Sequence, residues 1–141
     1  VAAEKDTNNI QSLESNFEKT TLTIIAEDNK EHELFVYLAS EPYQQRRGLM
    51  FIRDLPEKTG MLFTYQRNNI HSMWMKNTYI PLDIIFARED GSVSSIIHNA
   101  KPMSLRPLNS IEPIKYVLEL NGGSAKNLNL GENSRFKWKE N

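Results

Sequence analysis

Six polar residues stand beside the most apolar blocks of the sequence, where charge is unexpected. They are Arg46, Arg47, Lys76, Asn77, Asp83 and Glu119. A charge among Leu, Ile, Phe and Met side chains is costly to bury unless it is paired. One interpretation is a small pocket in which Arg47 and Lys76 hold an anionic or hydroxyl-rich ligand, or a segment of a partner protein. The alternative is a structural ion-pair network in which Arg47 pairs with Asp83 or Glu119.

The two carboxylates of this set could also act as general acid and general base. A hydrolase or lyase that used Asp83 or Glu119 in this way would need both groups to converge on one cleft. Alternation along a strand places Asp83 on the same face as Ile85, and Glu119 on the same face as Val117. Whether the protein is an enzyme stays open at the level of the sequence.

Three residues at alternate positions form a different candidate site. His71, Met73 and Met75 share one face of an extended segment, whereas Trp74 points to the opposite face. Imidazole with thioether sulphur is a ligand set that suits Cu(I). Met is also a flexible core residue, and a lone His often serves only as a hydrogen-bonded side chain, so packing is the alternative. Apart from this copper hypothesis, the sequence indicates no metal and no cofactor.

The composition argues against several classes of function. The chain has 141 residues, with 17 basic and 18 acidic side chains, and its net charge of −1 gives no broad electrostatic footprint for nucleic acid. The absence of cysteine removes thiol nucleophiles, disulfides and Cys-zinc sites. The three histidines lack the spacing of a triad or a metalloprotease, and no apolar run is long enough for a membrane-spanning helix.

Residues 1–19 are polar and predict a flexible N-terminal tail before a single β-rich domain of residues 20–141. The chain starts at Val1 without an initiator Met. We therefore expect an exported protein, periplasmic or extracellular, from which a signal peptide or lipid-attachment segment has been removed. An ordinary disordered N-terminus is the alternative, and a cytoplasmic location stays open. The sequence identifies neither a partner nor an oligomeric state.

Two hairpins are indicated by turn residues between runs of β-branched and aromatic residues. Residues 21–26 and 33–39 flank Asp28-Asn29, which has the chemistry of a turn. The pair Asp90-Gly91 follows another apolar run and is a strong short-range hairpin signal.

The remaining elements are short. Residues 73–86 predict two strand-like arms joined by a connector, while residues 40–47 and 124–130 each predict a short helix. A closing strand should turn Phe136 and Trp138 inward. In total, about seven or eight short strands and two short helices predict a mainly β fold, either a compact β-sandwich or a partly open barrel.

Five blocks of the chain carry a family pattern. They are residues 47–51 (RGLMF), 60–63 (GMLF), 74–78 (WMKNT), 80–86 (IPLDIIF) and 116–123 (YVLELNGG). In this order they closely resemble the bacterial and archaeal domain-of-unknown-function family 192, over roughly residues 20 to 139. The resemblance implies a compact, mainly β domain that is often exported in bacteria, and it implies no activity. Met73 departs from the family pattern, which most often has Phe before the Trp, so a function that used His71 or Met73 would be particular to this member.

Overall fold

The computed structural model describes residues 10–138, which form one curled sheet, a small ribbon and short helices. The nine strands of this range are β1 (Glu18–Ile25), β2 (Glu31–Ala39), β3 (Thr59–Asn69), β4 (Ser72–Met73), β5 (Leu82–Ala87), β6 (Val93–Ala100), β7 (Leu108–Asn109), β8 (Ile114–Asn121) and β9 (Arg135–Lys137), and its three helices are α1 (Ile10–Asn16), α2 (Pro42–Arg47) and α3 (Ser124–Asn127). The prediction of a mainly β fold is confirmed, and the sheet curls into a half-barrel.

Seven strands pair in the order β6-β5-β8-β3-β2-β1-β9, and β4 pairs with β7 in a separate two-stranded ribbon. Both predicted hairpins are present, β1 with β2 and β5 with β6. Asn29 and Gly91 adopt left-handed φ angles of 67° and 89° at their turns, which Asn and Gly tolerate best. The parallel pair of β2 and β3 needs a crossover connection, and that connection contains α2.

The sheet is covered on both faces, which explains why β5 is buried along its whole length. We call the side that packs against α1 and residues 49–55 the front face, and the side that packs against α3 the back face. Large buried side chains of the front face are Tyr37, Met61, Phe63, Phe86 and Val117. Those of the back face are Ile24, Val36, Ile85, Leu118 and Phe136.

The predicted tail is structured from Ile10 onward, and residues 1–9 lie outside the described part of the chain. Leu13 of α1 is only 2% exposed in the front-face core. The Tyr37 hydroxyl donates a hydrogen bond to Glu14 Oε1 at 2.8 Å, and β1 already begins at Glu18. A helix of seven residues gains little stability alone, so the contacts of Leu13 and Glu14 with the sheet hold it in place.

Two local predictions differ from the structure. Trp138 is 45% exposed rather than inward, because β9 ends at Lys137 and the indole packs over the rim of the back face beside Tyr116. The predicted helix at 124–130 is shortened to the four residues of α3. Between residues 10 and 138, no helix combines the length and the apolar character needed to cross a bilayer.

Candidate functional site

Helix α2 carries two arginines whose position is fixed by a buried glutamine. Gln44 Oε1 accepts the backbone N–H of Glu41 at 3.1 Å, and Gln44 Nε2 donates to the Asn16 carbonyl at 3.0 Å. These bonds satisfy backbone groups at the start of α2 and tie it to the end of α1. Arg46 and Arg47 lie in the last turn of this anchored helix.

The ribbon of β4 and β7 brings a histidine and a methionine over the front face. The His71 N–H donates to Ser110 Oγ at 3.0 Å, and the His71 carbonyl accepts the Ser110 N–H at 2.9 Å. The imidazole stacks on the Tyr65 ring, with the two centroids 3.6 Å apart. The Tyr65 hydroxyl donates to the Met73 sulphur at 3.7 Å. The side chains of Tyr65, His71 and Met73 therefore form one packed wall.

A cleft of about 380 Å³ lies between α2, the ribbon and the strands β3 and β8. Four of the six predicted ligand-binding residues line it, together with the packed wall and an exposed tryptophan. The lining of the cleft includes Arg46, Arg47, Lys76, Glu119, His71 and Trp74. A concave site of this size with a few polar groups is typical of small-molecule binding.

Glu119 is the buried acid of this cleft. It is 3% exposed, and no group within residues 10–138 donates a hydrogen bond to its carboxyl or forms an ion pair with it. Burial raises the pKa of Glu119 to about 8. At neutral pH its carboxyl is therefore mostly protonated, and it can donate a hydrogen bond into the cleft. Burial also raises the pKa of Tyr65, and the charge of Glu119 adds to that effect.

His71 supplies a second polar atom without a partner. Its Nε2 atom is buried and makes no hydrogen bond with the described residues. Burial lowers the pKa of His71, and a hydrogen bond with the Arg67 backbone offsets part of that effect. The imidazole is therefore neutral at pH 7, and because its other nitrogen donates to the Arg67 backbone, Nε2 can accept one hydrogen bond.

Three cations surround the mouth of the cleft. Arg47 donates to Ser12 Oγ at 3.1 Å, and its guanidinium lies 5.4 Å from the centre of the Phe51 ring. The Lys76 ammonium lies 5.1 Å from the centre of the Trp74 ring. In the described part of the chain, neither Arg47, Lys76 nor Arg46 has a carboxylate partner. Among residues 10–138, therefore, no acid neutralises the positive charge of the mouth, and Arg47 does not pair with Asp83 or Glu119 as the ion-pair alternative required.

Asp83 does not reach this cleft, because it lies on the back face. Its Oδ1 accepts the Asn99 N–H at 2.9 Å, and its Oδ2 accepts the N–H groups of Gly123 at 3.1 Å and Ala125 at 2.8 Å. Three backbone donors satisfy both oxygens of this buried carboxylate. Asp83 therefore organises the turn into α3 and is not available to a ligand.

The acid–base pair of Asp83 and Glu119 is therefore wrong as a shared catalytic centre. In the β5–β8 pair Ile84 is opposite Glu119, and Asp83 is opposite Leu120. Paired residues point to the same face, so the two carboxylates lie on opposite sides of the sheet. Asn77 also lies outside the cleft: its left-handed φ of 54° makes the turn, and its carbonyl accepts the Phe51 N–H at 2.8 Å.

The proposed copper ligands do not converge either. Met75 is completely buried in the front-face core and does not line the cleft, whereas His71 and Met73 do. The segment leaves the ribbon after Met73, which ends the alternation that would have kept Met75 on the same side. No group of three or more His, Cys, Asp or Glu side chains within residues 10–138 could hold a metal ion.

Tyr65 is the cleft residue that the sequence did not suggest. It lies on β3 with the same alternation as Met61 and Phe63, and Met61 is paired opposite Glu119. The sequence therefore predicted which residues of β3 share a face. It did not predict the register between β3 and β8, which places Tyr65 on the same face as Glu119. The contacts of the Tyr65 ring with His71 and Met73 depend on the ribbon, which has no strong sequence signal.

Together these features define a mainly β domain built on one curled sheet, with a cationic cleft on its front face. The chain belongs to domain-of-unknown-function family 192 (DUF192, described as “Uncharacterized ACR”), whose model matches residues 23–138. This confirms the family resemblance of the five sequence blocks.

Two solved structures are similar to this chain. One is a Sinorhizobium meliloti 1021 protein, provisionally named a transcription regulator, with 40% sequence identity and a TM-score of 0.84 over 86% of this chain and 94% of that one. The other is a protein of unknown function from Novosphingobium aromaticivorans DSM 12444, with 35% identity and a TM-score of 0.83 over 88% of each chain. A comparison with proteins of curated function found no match.

Proposed function

We propose that the cleft binds a small anionic ligand, with the cations of the mouth receiving its charge and Glu119 donating a hydrogen bond from the buried side. The observation that carries this proposal is the Glu119 carboxyl, which is buried yet receives no hydrogen bond and forms no ion pair among residues 10–138. Folded proteins nearly always pair their buried polar groups. A buried carboxyl that lines a cleft without an internal partner is therefore a place where an outside molecule is expected to bond.

The chemistry of the lining indicates what the ligand carries. Arg46, Arg47 and Lys76 favour a carboxylate or phosphate group, which a guanidinium can bind through two parallel hydrogen bonds. The protonated Glu119 favours a hydroxyl, carbonyl or ether oxygen, and the neutral His71 offers one more hydrogen bond. A cleft of about 380 Å³ suits a ligand of metabolite size. Hydroxycarboxylates, sugar acids and sugar phosphates satisfy all three requirements.

A binding screen with charge variants tests this proposal. Wild-type protein is screened by thermal shift against hydroxycarboxylates, sugar acids and sugar phosphates, and each ligand that raises the melting temperature is titrated by calorimetry. Lys76→Ala and Arg46→Ala are each expected to weaken binding by about five- to tenfold, because each removes one charge-assisted contact. Lys126→Ala, which removes one exposed lysine from α3 on the back face, is the matched control. If no ligand stabilises the protein, or if all three variants behave alike, the proposal is wrong.

The pH dependence of binding separates Glu119 from the cations. The affinity of wild-type protein should fall as the pH rises through about 8, since the ionised carboxyl loses its proton donor and repels an anion. Glu119→Gln keeps an N–H donor but cannot ionise, and its affinity should stay level over the same range. A parallel decline in both proteins would assign the pH dependence to another group and would remove Glu119 from the binding site.

The name of the Sinorhizobium meliloti relative belongs to that protein. For this chain, the net charge of −1 does not favour a nucleic-acid partner. Export to the periplasm or the exterior stays a prediction from the composition of the N-terminal residues.

A further inference from the structure

A second surface lies beside the cleft, on the ribbon and the segments that flank it, and it shares Trp74 and Lys76 with the cleft lining. Residues 71–78 and 103–110 run side by side in opposite directions. Their backbones are joined between His71 and Ser110, across the β4–β7 pair, and again between Met103 and Thr78, where the N–H donates to the carbonyl at 3.0 Å. One face of this unit packs against the front-face core through Met73 and Leu108. The opposite face is directed outward.

The outward face carries an unusual concentration of apolar side chains. Of the eight large apolar residues that are exposed within residues 10–138, five lie here: Ile70, Trp74, Met103, Leu105 and Ile111. Ile111 is 73% exposed and Leu105 63% exposed, the two highest values in this group. We call these five residues the ribbon surface. Single exposed apolar residues are ordinary, but a cluster of this kind marks an interaction site.

The two segments that carry the ribbon surface contain charges of one sign only, and the adjacent Glu89, which accepts a hydrogen bond from Asn68, is paired with Lys115. Residues 66–81 and 98–111 contain Arg67, Lys76, Lys101 and Arg106 but no Asp or Glu, in a chain whose net charge is −1. None of the four cations forms an ion pair with another described residue. The nearest acid in sequence, Glu112, is held by the Arg88 guanidinium at 2.8 and 3.0 Å and by Ser94. The ribbon surface is therefore both apolar and locally positive.

We propose that the ribbon surface binds an anionic phospholipid bilayer, with the apolar side chains entering the interface and the cations contacting headgroup phosphates. Apolar side chains beside Lys and Arg are the combination by which peripheral proteins bind such membranes. Trp74 fits this role, because tryptophan is favoured at the boundary between headgroups and acyl chains.

The shape of the surface favours a bilayer over a peptide or a second copy of the chain. An acidic peptide needs a groove or a free strand edge, and β4 and β7 offer only two residues each. A second copy would bring the four cations of each ribbon together, since a two-fold interface places the same patch on both sides. A lipid surface requires neither a groove nor complementary acidic side chains.

Vesicle binding tests the inference directly. Full-length protein is sedimented with vesicles of phosphatidylglycerol and phosphatidylcholine in equal parts, and with vesicles of phosphatidylcholine alone. We expect binding to the anionic vesicles, weakened by salt and much weaker on the neutral vesicles. Lys101→Ala combined with Arg106→Ala should lower the partition coefficient by roughly 30-fold, from about 1 kcal/mol for each cation at an anionic surface. Lys30→Ala combined with Lys126→Ala removes the same charge elsewhere and should change it by less than about threefold.

Two further variants test the apolar contribution. Leu105→Ser combined with Ile111→Ser should lower the partition coefficient at least about tenfold. Phe35→Ser, at another exposed apolar residue, on β2, should leave it unchanged. The side chains of Leu105 and Ile111 are largely outside the core, so circular dichroism of the double variant should show the same fold as wild type. In Trp138→Phe protein, where Trp74 is the remaining tryptophan, the emission should shift to shorter wavelength when anionic vesicles are added.

The proposal is overturned if the protein does not bind anionic vesicles, or if the ribbon variants and their controls bind equally. It is also overturned if sedimentation velocity shows a dimer that Leu105→Ser disrupts, because a second copy would then occupy the surface. The proposal is likewise overturned if an acidic peptide or a DNA duplex competes with vesicles for the protein and binds it more tightly than they do. Lys101, Arg106, Leu105 and Ile111 do not line the cleft, so these outcomes are independent of anion binding there.

Discussion

Replacing Glu119 with Gln is expected to change the stability of the protein only above about pH 4.5, where the carboxyl ionises in the unfolded chain. The residue is 3% exposed and receives no hydrogen bond from another residue within residues 10–138. Its charged form therefore loses hydration without gaining a partner, whereas its protonated form is tolerated. Gln has nearly the same shape as protonated Glu and never carries a charge.

The size of the effect follows from the displaced pKa of Glu119. Burial raises that pKa from 4.5 to about 8. The folded state then holds the proton more tightly than the unfolded state, so the stability contributed by the protonated carboxyl is complete below about pH 4.5 and is lost as the pH rises through about 8. The loss is about 1.4 kcal/mol for each pH unit, and about 5 kcal/mol in total. This total is comparable with the whole stability of many small domains, which begins near 5 kcal/mol.

Urea unfolding followed by circular dichroism measures the difference between the two proteins. We expect nearly equal free energies of unfolding near pH 5 and an advantage for Glu119→Gln that grows to about 4–5 kcal/mol near pH 9. Glu33→Gln, at an exposed acid on β2, is the control and should follow wild type within about 0.5 kcal/mol. A difference between Glu119→Gln and wild type that stays constant from pH 5 to 9 would refute the reasoning, and an advantage for wild type at high pH would mean that Glu119 has a cation partner.

Substitutions at four further positions, each measured by urea unfolding, test how the fold is built. Asp83→Ala should cost roughly 3–5 kcal/mol, because three backbone N–H groups, that of the buried Ala125 among them, lose their acceptor, while Asp83→Asn keeps one acceptor oxygen and should cost less; equal stability of both variants and wild type would contradict this role. Gly60→Ala should cost about 2–4 kcal/mol, because the added Cβ would overlap the backbone of β8. Gly123→Ala should cost only about 1–2 kcal/mol, because its Cβ would meet open space and only the φ of 93° is unfavourable. If Gly123→Ala cost more than Gly60→Ala, the close approach of β3 and β8 would be refuted. Met75→Ala should cost about 2–5 kcal/mol as a core truncation, and an unchanged stability would place Met75 outside the core.

The parts of the fold that the sequence predicted well are those determined by local chemistry. The turns at Asp28-Asn29 and Asp90-Gly91 need a left-handed backbone conformation. Asn29 and Gly91 tolerate that conformation, and their presence in the sequence predicted both hairpins. The helix before Gly48 was readable for the same reason, since Pro begins it and Gly ends it. Such signals involve a few neighbouring residues and do not depend on the rest of the chain.

The candidate site was harder to predict because it is assembled from distant segments. The cleft joins α2 at residues 42–47, the ribbon at residues 71–76 and β8 at Glu119. The ribbon consists of two pairs of residues, and a strand of two residues has no periodicity to detect. Met75 illustrates the consequence: alternation predicted that it would stay with His71 and Met73, but the chain turns after β4 and buries it in the core.

The contrast between Asp83 and Glu119 shows which piece of information was missing. Alternation correctly placed Asp83 with Ile85 and Glu119 with Val117, but parity within a strand does not say which residues of two strands lie opposite each other. The observed register sets Ile84 against Glu119, and a slip of one residue would have put both carboxylates on one face. The register also decides which buried acid has donors. Asp83 faces the turn into α3 and receives three backbone hydrogen bonds, whereas Glu119 faces a cleft and receives none within residues 10–138. Two acids on neighbouring strands, equally buried, are thus assigned opposite roles by the groups around them: the satisfied carboxylate holds the fold, and the unsatisfied carboxyl is the one with capacity left for a ligand.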